Sequence, residues 1–239
     1  MNPPALAILG TGTGVGKTVV TAAVGLALRR AGVSVTAWKP VASGGVRRDG
    51  RWVSSDAIWL KAALGLREPL SEIGGACWRL GLAPAVAARI ERAPLDVEGL
   101  GRRWRALRAS GRFVLVEGVG GTLVPLRGRM TVADLIGRWG LPALVVGAAG
   151  LGTINHTLLT IEALRARGVR IAGVILNRAV RGRDLSERTN ARVISTLGRV
   201  RVLAALPWVA GVRSDRRALR KLARALPGRA IRRAAAEAR

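Results

Sequence analysis

Residues 8–24 read ILGTGTGVGKTVVTAAV: an apolar run, glycine at every second position from Gly10 to Gly16, then Lys-Thr and a stretch of helical composition. In such a loop, amides free of side chains can turn inward on phosphate oxygens. A following lysine neutralises the outer phosphates, and the next hydroxyl can ligate magnesium. The strict G-x-x-x-x-G-K-[ST] spacing is broken here, because Thr11 stands five before Gly16 and Gly10 stands six before it. A plain turn needs glycine for its backbone angles but has no use for a Gly-Lys-Thr ending. Gly16, Lys17 and Thr18 therefore favour a phosphate loop between a first strand and a first helix.

Outward from this loop, apolar runs of strand length recur at 6–9, 33–38, 113–116, 143–146, 171–176 and 200–206. Amphipathic stretches near 18–31, 55–65, 84–92, 96–109, 153–167 and 184–198 separate them. Strands alternating with helices predict an α/β fold, a parallel sheet with helices on both faces, with ligands at the carboxyl ends of the strands.

The 239 residues, 49% hydrophobic and 23% charged, suffice for one sizeable core. We expect one main domain over 1–212 and a basic helical tail over 213–239, where RRALRKLARAL has helical periodicity and an arginine-rich face. The bland reading of that face, a solvated helix covering the domain, is preferred to an anion-binding surface. The single cysteine, Cys77, excludes an internal disulfide, has no zinc-like spacing around it and reads as packing. The tryptophans read as bulky core residues. The start MNPPALAILG lacks a basic leader region, so a cytoplasmic protein is expected. The uncharged segment 141–161 is long enough to span a bilayer, but Pro142, its glycines and Asn155-His156 read better as strand, loop and helix start. The formal net charge of +26 would ordinarily point to nucleic acid, yet it is spread along the chain: ten basic and two acidic residues in 213–239 account for only +8.

Lysine is rare, with only four among forty basic residues. One of the four, Lys39 in VTAWKPVASGG, is expected at the carboxyl end of the second strand, on the rim of the phosphate loop; alone it reads equally well as a solvated strand end, and two of four lysines on one rim favour a functional role. Glu117 ends the run FVLVE before Gly-Val-Gly-Gly, which lets a carboxylate face a metal while the backbone approaches a ligand. Asp56 in SSDA reads equally well as a helix-start residue, with Ser54 or Ser55 as cap.

Six motifs in order, GTGTGVGKT, KPVASG, SSDA, VEGVGG, LGTINHT and VILN, resemble dethiobiotin synthetase over about 6–209. The resemblance implies a phosphate-loop NTPase fold and a homodimer. It also implies a reaction in which 7,8-diaminononanoate, carbon dioxide and ATP give dethiobiotin, ADP and phosphate: an amine becomes a carbamate, the carbamate attacks the γ-phosphate, and the anhydride closes on the second amine to a cyclic urea. Lys17 and Lys39 are then the catalytic cations. Magnesium falls to Thr18, Asp56 and Glu117, oxygen ligands of the type it prefers. ATP contacts are carried over to Thr13, Gly14, Val15, Gly16, Lys17, Thr18 and Val19, and to Asp56 and Glu117. They extend to Gly118, Val119 and Gly120, and on the adenine side to Asn177, Arg178, Pro207, Trp208 and Val209. Substrate contacts fall to Ser43 and, across the dimer interface, to Gly152 and Asn155.

This sequence departs from the family where Gly12 replaces an aspartate and where Gly81 and Ala85 replace a proline and a histidine. Two alternatives fit the chain less well. A partition-type ATPase would carry an early loop lysine, and Thr11 to Val15 has none; a cobyric-acid-type relative usually carries a fused glutaminase domain, for which this chain has no room. A nucleic-acid-binding protein on a degenerate nucleotide fold would show aromatic residues interleaved with basic ones, and that pattern is not evident.

Overall fold

The computed structural model describes residues 5–182 and 184–237. The N-terminal residues 1–4, which bear on the leader question, and the last two residues of the tail lie outside them. The first half runs β1 (Ala5–Gly10), α1 (Lys17–Arg30), β2 (Val35–Ser43), the hairpin β3 (Val46–Arg48) and β4 (Arg51–Val53), α2 (Ser55–Leu64), α3 (Leu70–Ile73), β5 (Gly74–Trp78), α4 (Pro84–Ile90) and α5 (Val97–Ala109). The second half runs β6 (Phe113–Gly121), the hairpin β7 (Pro125–Arg127) and β8 (Met130–Thr131), α6 (Val132–Arg138), β9 (Ala143–Ala148), α7 (Thr153–Arg165), β10 (Ile171–Asn177), α8 (Glu187–Gly198), β11 (Val202–Leu206), α9 (Arg216–Arg224) and α10 (Gly228–Glu237).

Seven parallel strands form one sheet in the order β11-β10-β9-β1-β6-β2-β5. Side chains alternate across it as strand geometry requires: Leu6 and Ile8 enter the core beneath α1 and α2, while Ala5, Ala7 and Leu9 enter the core on the other face. The α/β architecture expected from the alternation is the one found. The segment 141–161 is strand, loop and helix start, and no helix among the described residues is long and apolar enough to cross a membrane.

One strand of the seven-stranded sheet lies outside the sequence expectation, as do the four short strands of the two hairpins. β5, GGACW, is a short edge strand whose two glycines suppress any apolar pattern. Its pairing, with Lys39 opposite Gly74 and Ser43 opposite Trp78, carries β2 five residues beyond the expected end. Lys39 is thus inside a strand and not at its terminus.

The tail does more than end the chain. Leu219, Leu222, Leu226 and Ile231 are buried in the core cluster that contains α1, each contributing about 1.5–3 kcal/mol on burial. The basic side chains of α9 and α10 are exposed. Gly228 permits the contact, because a Cβ there would lie 2.4 Å from the backbone oxygen of Ala27. Gly228→Ala should therefore destabilise the protein by about 1–3 kcal/mol, the usual cost of overpacking, read as a shift in the denaturation midpoint at unchanged slope. An unshifted midpoint would show that α10 is not held against α1.

The tryptophan expectation holds for only part of the set: Trp38, Trp78 and Trp104 are buried, whereas Trp208 is exposed. Cys77 is half-buried, and burial followed by the charge of Glu91 raises its thiol pKa to about 11, so it is unreactive at neutral pH.

Candidate active site

The sheet register builds the site. Trp38 of β2 lies opposite Val116 of β6, so Lys39 and Glu117 follow side by side. Both fall on the same face as Ala37 and Leu115, beneath α1 and α2. The first turns of those helices bring Thr18 and Asp56 to the same point. α2 starts there because the Ser54 hydroxyl accepts a hydrogen bond from the Ala57 amide at 3.3 Å, placing Asp56 in the first turn.

Four side chains meet in this space. Lys39 Nζ donates to Glu117 Oε1 at 2.6 Å and to the Gly118 carbonyl at 3.0 Å, and stands 3.1 Å from Asp56 Oδ2. Thr18 Oγ1 donates to Glu117 Oε1 at 2.8 Å. Lys39 and Glu117 are 2% and 0% exposed. Burial opposes the charge on Lys39, but Glu117 and Asp56 outweigh it and raise its pKa. Burial likewise opposes ionisation of Asp56, and Lys39 overcomes it, holding that carboxyl below its usual range.

Glu117 Oε2 is buried without a hydrogen-bond partner. An orphaned carboxylate oxygen next to a second carboxylate and a threonine hydroxyl is an oxygen-only set that fits magnesium. No group of three or more His, Cys, Asp or Glu side chains placed to hold a metal ion occurs among the described residues, so phosphate oxygens and water would have to complete the coordination.

Around this cluster a cavity of about 630 Å³ is lined by the phosphate loop, Lys17, Thr18, Val19, Lys39, Ser43 and Asp56, with Val119 and Gly120 from β6. Gly81, one of the departures, also lines it. Lys17 Nζ donates to the Gly12 carbonyl at 2.8 Å. Burial, and then the neighbouring Lys39 ammonium, lower the Lys17 pKa to about 8.

That value has a consequence for binding. Phosphates favour the ammonium form, so above about pH 8 the free protein must take up a proton to bind a nucleotide. Affinity for MgATP should be flat below about pH 8 and weaken above it by up to about tenfold per pH unit. Lys17→Arg, which cannot lose its charge, should remove the slope. Titration calorimetry across this range checks it; the same slope in Lys17→Arg would assign the proton to another group.

The remaining expected residues fall at several places along the sheet's carboxyl edge. Asn177, 4% exposed at the end of β10, donates through Nδ2 to the Val15 carbonyl at 3.0 Å, joining the adenine-side candidates to the loop. Arg178 is held by Glu187, its Nε 2.9 Å from both carboxylate oxygens. Pro207 and Trp208 follow β11 and are exposed. Gly152 and Asn155 stand exposed at the start of α7 and do not line the cavity within one chain. Sequence reasoning alone misses Arg213, which does line it.

A nucleotide cradle at the end of β1 is common to many activities, and comparison with known proteins narrows it. An AAA domain family matches residues 5–216. The ATP-dependent dethiobiotin synthetase BioD of Anaeromyxobacter dehalogenans strain 2CP-C is 46% identical over 90% of this chain and 94% of its own. The chain belongs to the dethiobiotin synthetase family. A synthetase from Aquifex aeolicus is 40% identical over 80% of this chain and 84% of its own. Among solved structures, the MinC:MinD cell division complex of Aquifex aeolicus matches at TM-score 0.56 and 17% identity, covering 98% of this chain and 95% of that one. A ParA family ATPase from Chlorobium tepidum matches at 0.56 and 16%, covering 98% of each. These two likenesses show the fold alone. In this member of the family, Lys17, Thr18, Lys39 and Asp56 line one cavity, and the buried Glu117 is bonded to Lys39 and Thr18.

Proposed function

We propose that the chain performs the reaction for which its family is named: ATP-dependent carboxylation and ring closure of 7,8-diaminononanoate to dethiobiotin, a step of biotin biosynthesis. The observation that carries it is the meeting of Lys39 with Glu117 and Asp56 beside the phosphate loop. A carbamate and a triphosphate repel each other, and phosphoryl transfer between them requires positive charge fixed in advance where negative charge gathers. Lys17 and Lys39 supply it. Loop amides from Thr13 to Val19 orient the phosphates, and Gly118 to Gly120 bring backbone close to the transferred group. Thr18, Asp56 and Glu117 would hold magnesium, which when bound neutralises phosphate charge. Ser43, in the same cavity, would contact the diamine.

We take the working form to be a cytoplasmic homodimer. Leu151 at the entry of α7, Leu159 on α7 and Leu197 on α8 are exposed apolar side chains, the last two on helices packed together. A partner covering that face would bring the α7 start, with Gly152 and Asn155, toward a substrate carboxylate. Purified protein incubated with the diamine, bicarbonate and MgATP should form dethiobiotin stoichiometrically with ADP. Product no greater than that of a Lys39→Ala control would count decisively against the assignment.

A further inference from the structure

Arg213 belongs to the segment between β11 and α9, past the last motif of the family resemblance, and nothing in the sequence marks it. The structure fixes it at both ends to α2. Its carbonyl accepts a hydrogen bond from Trp59 Nε1 at 2.7 Å, and its guanidinium lies over the Trp59 ring, 5.2 Å from the centroid. The neighbouring Arg216 donates to the Ala62 carbonyl at 2.7 Å, a second tie between the same segments. The held guanidinium lines the cavity with Lys17, Thr18 and Val19, and its side chain is 54% exposed.

The charge pattern says what it faces. Lys39 is committed to Glu117 and Asp56. Lys17 holds only a carbonyl. Arg213 stands 3.9 Å from Asp56 Oδ1, a long contact to a carboxylate that Lys39 already engages. Two cations therefore remain for an incoming polyanion, and the second presents a planar fork of donors suited to phosphate oxygens.

We infer that Arg213 binds the phosphate chain of the nucleotide from the α2 side of the cavity, as a second cation complementing Lys17. The inference rests on the nucleotide half of the proposed function and not on ring closure. Trp59 is the positioning residue that holds it.

MgATP binding, measured by titration calorimetry without the diamine, tests this. Arg213→Gln should weaken MgATP about tenfold or more, the range of a lost charge-assisted hydrogen bond. In turnover, KM for ATP should rise by a similar factor with kcat little changed. Arg213→Lys should recover part of the affinity. Trp59→Phe loosens the segment but keeps the guanidinium, so its effect should stay clearly smaller than that of Arg213→Gln. The inference is overturned if Arg213→Gln changes the dissociation constant by less than about threefold, or if Trp59→Phe weakens binding as much in the Arg213→Gln background as in the parent, since Trp59 would then act through the segment and not through the guanidinium. Arg213-dependent MgATP binding in a protein that forms no dethiobiotin would sink the proposed reaction and leave this inference standing.

Discussion

Lys39→Met should reduce dethiobiotin formation by about 10²–10³-fold, the scale on which one preorganised charge-stabilising group acts. It should also destabilise the free protein by about 3–5 kcal/mol, because breaking a buried ion pair from one side leaves the other charge stranded. The stranded group is Glu117. It would retain the Thr18 hydroxyl on Oε1 and nothing on Oε2. The double variant Lys39→Met/Glu117→Gln removes both charges and should recover most of the stability but none of the activity. Denaturant unfolding at neutral pH combined with the product assay measures both effects. A single variant as stable as the parent would mean that Glu117 is not confined as described. An apolar pair of similar volume would stabilise the core as well as this ion pair does. Stability alone therefore does not account for two charges under α1.

The parts of this arrangement that were legible in the sequence share a cause. Residues 8–24 announce both a strand and a loop because backbone geometry and ligand chemistry demand glycine, lysine and threonine in one short span. Six of the seven strands of the sheet were legible because a strand covered on both faces of a parallel sheet must be apolar along nearly its whole length. Lys39 and Glu117 stood out against an arginine-rich, acid-poor background, whereas Asp56 read equally well as a helix start until the family resemblance, and the structure gathers all three. β5 was illegible because an edge strand of two glycines, an alanine, a cysteine and a tryptophan has no periodicity. Arg213 was illegible for the opposite reason: one arginine among many carries no signal, and only the Trp59 contacts distinguish it. The substrate role of the α7 start came from resemblance alone, since a single chain does not bring Gly152 and Asn155 into the cavity beside the phosphate loop.

Gly16→Ala should cost at least about 10-fold, and up to about 100-fold, in MgATP affinity, whereas Gly12→Ala in the same loop should cost little. Gly16 caps α1 with φ of 90°, a conformation that costs an L-residue roughly 1–2 kcal/mol. A Cβ there would also lie 2.2 Å from Asn177 Nδ2, forcing that buried amide off the Val15 carbonyl and loosening the loop at its end. At Gly12 a Cβ meets nothing within 4 Å, so a side chain there leaves the backbone path unchanged. The two causes at Gly16 separate in the variant Gly16→Ala/Asn177→Ala: removing the amide relieves the overlap but not the backbone strain, so affinity should return only in part. Calorimetric titration of the three variants with MgATP measures this. Equal losses at Gly12 and Gly16 would show that the loop takes a different path when it holds phosphate, and the cradle described above would have to be redrawn.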